Sequence, residues 1–249
     1  MKTSRIVFCL IFVTLCTATL SAQRLRITDA QFEQLNGNVS EVVSMVFGAD
    51  NDRHVAEKGA FISGRSMKFD RSGMCRESCL LASDEGDIAQ KTTYEYAGSS
   101  KTSAVTTDIN GNVIYHQNFK NDSEGYCVAI EFTNSAGAPI SRSEMEYDRN
   151  KIRTTELFAD EWRSITTYVF DGNCRITRVT ATERDCESDV SIVLDLQGLV
   201  AKKIRKSGGR QRITTSYKYE ADSHGNWIKQ IEYLNDKPTQ ITYRTIKYY

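Results

Sequence analysis

Tyr217-Lys218-Tyr219-Glu220-Ala221-Asp222-Ser223-His224-Gly225-Asn226-Trp227 is the stretch on which the fold turns. Tyr217 and Tyr219 are two apart and share one face of a strand, with Lys218 and Glu220 on the other. Asp222 opens a turn, because its side chain can accept from its own backbone two residues on, and Gly225 or Asn226 takes the positive φ that closes it. Trp227 begins the return strand. Working outward, the same punctuation recurs. Taking Gly73, Gly98, Gly125, Asn150, Gly172, Gly198 and Gly225 as markers, the steps are 25, 27, 25, 22, 26 and 27 residues. A second series falls midway, at Gly86, Gly111, Gly137, Asp160, Asp185, Gly209 and Asp236. The two interleaved series place a turn every ~12 to 13 residues, with runs rich in Thr, Val, Ile, Tyr and Phe between them.

No interval is long enough for a crossover helix, so neighbouring strands are expected to be antiparallel. Pro139 and Pro238 each follow a turn, where a strand tolerates a missing donor. The expected fold is all-β: an antiparallel up-and-down meander of about fourteen to sixteen short strands over residues 38–249, as one domain. Apolar pairs precede the turns of the first series at Met67/Phe69, Tyr94/Tyr96, Tyr168/Phe170, Ile192/Leu194 and Tyr217/Tyr219, a ladder on one face of the sheet. Several strands carry large apolar groups on both faces, such as Trp227 and Ile231 against Ile228, or Ile241 and Tyr243 against Ile246 and Tyr248. That two-sidedness points to one open, curled sheet rather than a closed barrel, which would need a consistent inside. Open edges would permit self-association by strand pairing.

Residues 23–37 form a lead-in with one short helix. Thr28-Asp29-Ala30-Gln31 has the form of a capping box, Phe32 and Leu35 share a face, and Gly37 supplies the stop. Residues 1–22 read as a secretory signal: Lys2 and Arg5, then the apolar run Ile6–Val13, then small residues up to Ala22. Lipidation at Cys16 is disfavoured by Leu15, which stands where a small residue is required. Losing Lys2 and Arg5 from a balanced 32 basic and 32 acidic residues leaves a net charge of −2. Such a balance argues against a nucleic-acid partner, which rewards a basic stripe.

Cys75, Cys79, Cys127, Cys174 and Cys186 remain after the signal, an odd number whose pairing is open. Cys75 and Cys79 lie four apart in one strand, ~13 Å, too far to bridge. Their spacing lacks the partners of a zinc site, and Asp50-Asn51-Asp52 lacks the closing Glu of a calcium loop, with Phe61 in its place. No metal or organic cofactor is expected. Nor is a catalytic residue: His54, His116 and His224 are scattered, and no nucleophile elbow, metalloprotease or phosphate-loop motif occurs.

The Tyr217–Trp227 stretch resembles the YD or RHS repeat, in which a Tyr-x-Tyr strand end meets an Asp-x-x-Gly-Asn turn. Further copies stand at Tyr168-Val169-Phe170-Asp171-Gly172-Asn173 and Phe69-Asp70-Arg71-Ser72-Gly73. The opening Leu35-Asn36-Gly37-Asn38-Val39 and the closing residues 241–249 are similar to small exported repeat proteins of Bacteroidota type. The resemblance implies hairpins that extend a sheet, sometimes a shell around a polypeptide, with no catalytic residues to carry over.

The functional expectation is a non-catalytic, exported protein-interaction or scaffold module of the envelope or exterior, without a membrane span. The alternative is a glycan- or peptidoglycan-binding module. Trp162, Trp227, Tyr217 and Tyr219 are the candidate contact residues in either case, set between turns such as Asp171-Gly172-Asn173 and Asp222 to Asn226. An outer-membrane barrel is a further reading. Against it, the run 151–158 places Lys151, Arg153, Thr155 and Leu157 on one face and Ile152, Thr154, Glu156 and Phe158 on the other, and neither suits lipid.

Overall fold

The computed structural model describes residues 24, 27–50, 56–158, 161–183, 186–207 and 211–249. The signal region, Cys16, His54 and most of the Asp50-Asn51-Asp52 turn lie outside the described residues, as do the side chains of Trp162 and Cys186.

Among the described residues one short helix, α1 (Asp29–Phe32), precedes sixteen strands. The strands are β1 (Val39–Asp50), β2 (Glu57–Phe69), β3 (Cys75–Leu81), β4 (Ile88–Ala97), β5 (Ser100–Asp108), β6 (Val113–Asn121), β7 (Cys127–Asn134) and β8 (Pro139–Asp148). The second half is β9 (Lys151–Phe158), β10 (Glu161–Phe170), β11 (Ile176–Glu183), β12 (Cys186–Leu194), β13 (Val200–Ser207), β14 (Gln211–Ala221), β15 (Trp227–Leu234) and β16 (Lys237–Tyr248). Each pairs antiparallel with its sequence neighbours, as the double series of turns requires.

The open sheet is corrected. β1 pairs with β16, with Val42 opposite Ile246, Ser44 opposite Arg244 and Val46 opposite Thr242, and the sheet closes into a barrel. Closure removes both edges, and with them the expected route to self-association. The two-faced apolar pattern has another cause. Inside, Ile246 and Tyr248 pack against the N-terminal segment through a cluster of Ala30, Leu35, Val39, Val42, Met67, Phe69 and Cys75. Outside, fully buried Ile241 pairs with Phe47 and Ile231, and Phe47 meets the rings of Phe61 and Tyr243 edge-on. A uniformly apolar inside is needed only where side chains must fill the barrel, and a sixteen-stranded barrel is wide enough to hold water.

The first series of turns and both ends of the described chain rim one mouth. There the lead-in crosses the barrel. The capping box forms as expected, with Thr28 and Gln31 bonding each other's backbone. The Ala30 amide donates to Gly73 O on the β2–β3 turn, and Phe32 reaches the Tyr168 ring on β10, centroids 6.4 Å apart. Asn36 meets the β14–β15 turn at Asn226. Residues 27–37 are a plug.

The turns share one geometry. Asp222 Oδ1 accepts from the amides of His224 and Asn226, while its own amide donates to Asn226 O. Asp70, Asp108, Asp122, Asn134 and Asp171 repeat this. In the β10–β11 turn the positive φ falls on Cys174 (62°), not on Gly172, at the place Gly225 (76°) holds in the β14–β15 turn. Cys174→Gly is therefore expected to stabilise the protein by about 1 kcal/mol, read as a rise in Tm, because a side chain in the left-handed region costs about that much.

The same turns set the acid limit. Backbone donation from Tyr126, with the Arg24 side chain, holds the Asp122 carboxyl below its usual value, and the Asn112 side chain and amide do so for Asp108. A depressed carboxyl contributes stability above its unfolded value of about 3.9 and loses it as pH falls through the folded value. Tm should stay flat from pH 7 to about 5 and fall below about 4. Asn at both positions should blunt that fall, since Asn134 already makes the turn uncharged. A Tm that climbs below pH 4 would contradict this origin.

Candidate functional site: the lumen and its plug

Alternation sorts every strand into a wall and a lumen face. Residues that touch the plug, and their register partners, identify the inside. The Arg65 guanidinium donates to Glu33 of the plug (3.2 Å) and to Ser78 on β3 (3.2 Å). Arg244 on β16 donates to Glu33 O and to Ser44 (3.3 Å), and its guanidinium carbon lies 3.6 Å from the centre of the Trp227 ring. Lys101 pairs with Asp29 (2.5 Å), whose other oxygen accepts from Tyr96 and the Cys75 amide. The ladder of Tyr94/Tyr96, Tyr168/Phe170 and Tyr217/Tyr219 lines the plugged half. Hydroxyls of the ladder brace the strand ends, Tyr96 to Cys75 O (2.7 Å) and Tyr219 to Val200 O (2.9 Å), as does inward Tyr147 to Cys127 O (2.9 Å).

Beyond the plug the lining is mostly Ser, Thr, Gln and charge, with Tyr115, Phe132, Val190 and Val46 among them. Lys203 and Arg205 on β13 face inward with Arg65 and Arg244, against Glu232 on β15. Glu156 on β9 and Glu183 on β11 face inward from the other side, both opposite Ser164. Leu80 and Ile213 are inward yet about half- and one-third-exposed, which marks this half as open to water.

The outer face differs. Ion pairs between neighbouring strands stud it, among them Lys247–Glu41 (2.5 Å), Lys68–Glu77 (2.8 Å), Lys91–Glu77 (2.7 Å), Arg153–Glu146 (3.0 Å), Arg178–Asp189 (2.7 Å) and Lys229–Glu220 (2.7 Å). Apolar outward residues gather on one arc, with Met45, Phe47, Ile231, Tyr233, Ile241 and Tyr243 on β1, β15 and β16.

Of the sequence candidates, the structure brings Trp227, Tyr217 and Tyr219 together inside the barrel. Tyr217 and Tyr219 stack at 6.4 Å, and Tyr219 and Trp227 tilt together at 5.9 Å. Trp227 is buried, so it is no exposed platform for a sugar. Trp162 lies in β10 opposite Leu157. Asp171, Asp222 and Gly225 build turns, while buried Asn226 also holds the plug. Sequence reading missed Glu33, Arg65, Lys203, Arg205 and Arg244. The signal for Arg244 was its position, a charge two residues from Ile246 on a face that otherwise packs.

No family model matches the chain, and no curated protein sequence matches it. Among solved structures, the chain is similar to a porin-like protein from Bacteroides uniformis, with 16% identity, a TM-score of 0.54 and coverage of 85% of this chain and 98% of that one. A porin-like protein from Bacteroides vulgatus follows at 14% identity, TM-score 0.44, covering 84% and 98%. At this identity the first likeness shows the fold alone.

Three expectations are corrected by the closed barrel and this likeness. The repeat-family name finds no support, since no family model matches and the fold likeness is to a porin-like protein, while the Bacteroides source of that neighbour fits the Bacteroidota type. The scaffold and glycan-platform readings lose the open sheet edges and exposed aromatics they needed. The expectation of no membrane span also falls. It leaned on the two polar faces of residues 151–158, and a closed barrel of sixteen strands is a form in which strands, not an apolar helix, can span a membrane.

Proposed function

We propose that the chain is a porin-like barrel of the bacterial envelope that takes small polar solutes, anions above all, into a wet lumen narrowed at one mouth by its own N-terminal plug. The observation that carries this reading is the sorting of the lining. Lys203, Arg205 and Arg65 line the β13-to-β2 side with Glu232 among them, while Arg244 is held against the plug, and Glu156 and Glu183 line the other. Charge on low-dielectric walls focuses potential and concentrates counter-ions. The description of the Bacteroides uniformis neighbour supports it, and so does the leader-like start. Lipid contact is assigned to the apolar arc on β15, β16 and β1. No catalytic step and no cofactor is part of the proposal.

Access and charge preference are measurable together. Ile213→Cys places a thiol on the lumen face beside Arg205, and Thr214→Cys one on the outer wall. Anionic and cationic thiol reagents of equal size are applied at low salt, and modification is read by peptide mass. The anionic reagent should modify position 213 faster by on the order of tenfold relative to position 214, with the preference collapsing at 1 M salt, where screening acts within ~3 Å. An inert position 213, or a cationic preference there, would sink the proposal.

A further inference from the structure

Glu33 caps the C-terminal end of α1, and its carboxylate reaches two cations of the wall at once. A terminal N–H of Arg65 donates to Glu33 Oε1 (3.2 Å), and those of Arg244 donate to Glu33 Oε2 (3.5 Å) and to Glu33 O (3.4 Å). Ser44 on β1 stands opposite both arginines, Arg65 on β2 and Arg244 on β16. Their Cα atoms are therefore two strand spacings apart, ~10 Å. That gap suits one oxyanion between two guanidinium forks.

The wall, not the plug, fixes the arginines. Arg65 Nε donates to Ser78 (3.2 Å), and Arg244 Nε donates to Ser44 (3.3 Å). The Arg244 guanidinium also sits over the Trp227 ring, 3.6 Å from its centre. Each side chain thus spends its inner N–H on a wall serine and turns its terminal N–H groups toward the same point. Forks held in this way keep their aim when the occupant leaves, so a second occupant has little ordering to supply. Glu33 cancels only one of the two positive charges. Arg65 is 45% exposed, and its inward register partner Leu80 is half-exposed, so the pair opens onto the wet half of the lumen.

We infer that Arg65 and Arg244, with Ser44 and Ser78, form a binding site for a doubly charged oxyanion of the phosphate type, which Glu33 fills as a tethered stand-in and which an entering solute takes in its place. This names the class of anion for the lumen described above and rests on that reading for the solute's route.

Inorganic phosphate is the probe, at about pH 8 where it is doubly charged, against chloride of equal ionic strength. In full-length Glu33→Gln the site has lost its carboxylate, and about 20 mM phosphate should raise Tm by roughly 3–6 °C. Glu33→Ala should respond in the same way. The native protein should rise by less than about 1 °C, because the tethered carboxylate already holds the site. Adding Arg65→Met to Glu33→Gln should remove most of the rise, which separates this site from Lys203 and Arg205. An equal rise in the native protein would mark a general salt effect and overturn the inference, as would a rise that Arg65→Met leaves untouched. No rise in either Glu33 variant, with the anionic preference at position 213 intact, would overturn it and leave the solute reading standing.

Discussion

Asn226→Ala is expected to lower stability by about 3 kcal/mol, a fall in Tm of roughly 6–12 °C for a chain of this size. The Asn226 side chain accepts from the Asn36 amide (2.6 Å) and donates to Asn36 O (2.9 Å) and to the Tyr248 hydroxyl (2.7 Å). It is fully buried, so truncation leaves both backbone groups of Asn36 without partners and frees the plug from the turn. Asn226→Asp is the sharper probe, because it keeps the shape and removes the donor. A carboxylate there would face Asn36 O and sit near Asp222, whose Oδ2 already accepts from Tyr248. Its folded pKa would be raised, so the variant should be least stable at neutral pH and recover part of the loss as pH falls toward 5, the reverse of the native turns. Thermal melts of both variants at pH 7 and 5 check this, and a loss under 1 kcal/mol would show that the turn does not hold the plug.

Glu33→Ala should cost a similar amount, about 3 kcal/mol, for a different reason. Arg244 is 9% exposed and Glu33 is its carboxylate, at 3.5 Å. Removing the acid leaves a buried guanidinium facing a second cation, Arg65, with only the Trp227 face and neutral oxygens for company. Arg244→Met in the same background removes the stranded charge and should return at least half of the loss. Equilibrium unfolding of the two single variants and the double variant gives the coupling. Additive effects would mean that Glu33 does not hold Arg244.

Most of the wall was legible in the sequence. The Asp-x-x-Gly-Asn turns and the β-rich runs between them dictate hairpins, because the acceptor, the positive φ and the alternation are all local. The capping box at Thr28 is local as well. Closure was not legible, since pairing β1 with β16 joins Val39 to Tyr248, and no local rule couples such distant residues. The apolar groups on both faces of β16 misled because each packs on something remote: Tyr248 and Ile246 on the plug, Ile241 on Phe47 and Ile231. The tyrosine ladder was read as one face of a sheet, and it is one. Its use was hidden, because only a closed wall turns that face into a lumen. Arg65, Glu33 and Arg244 come from three distant segments, so their meeting exists only in the fold.

Hydrogen exchange at the seam tests the central claim most directly. In a closed barrel every second amide of β1 points to β16 and every second amide of β16 points to β1, and both sets are protected along with the amides facing β2 and β15. The account predicts slow exchange at consecutive amides from Val42 to Val46 and from Thr242 to Ile246. An open meander would protect only alternate amides in these two strands, with the others exchanging as fast as loops. That alternation would contradict the closed barrel, and with it the lumen.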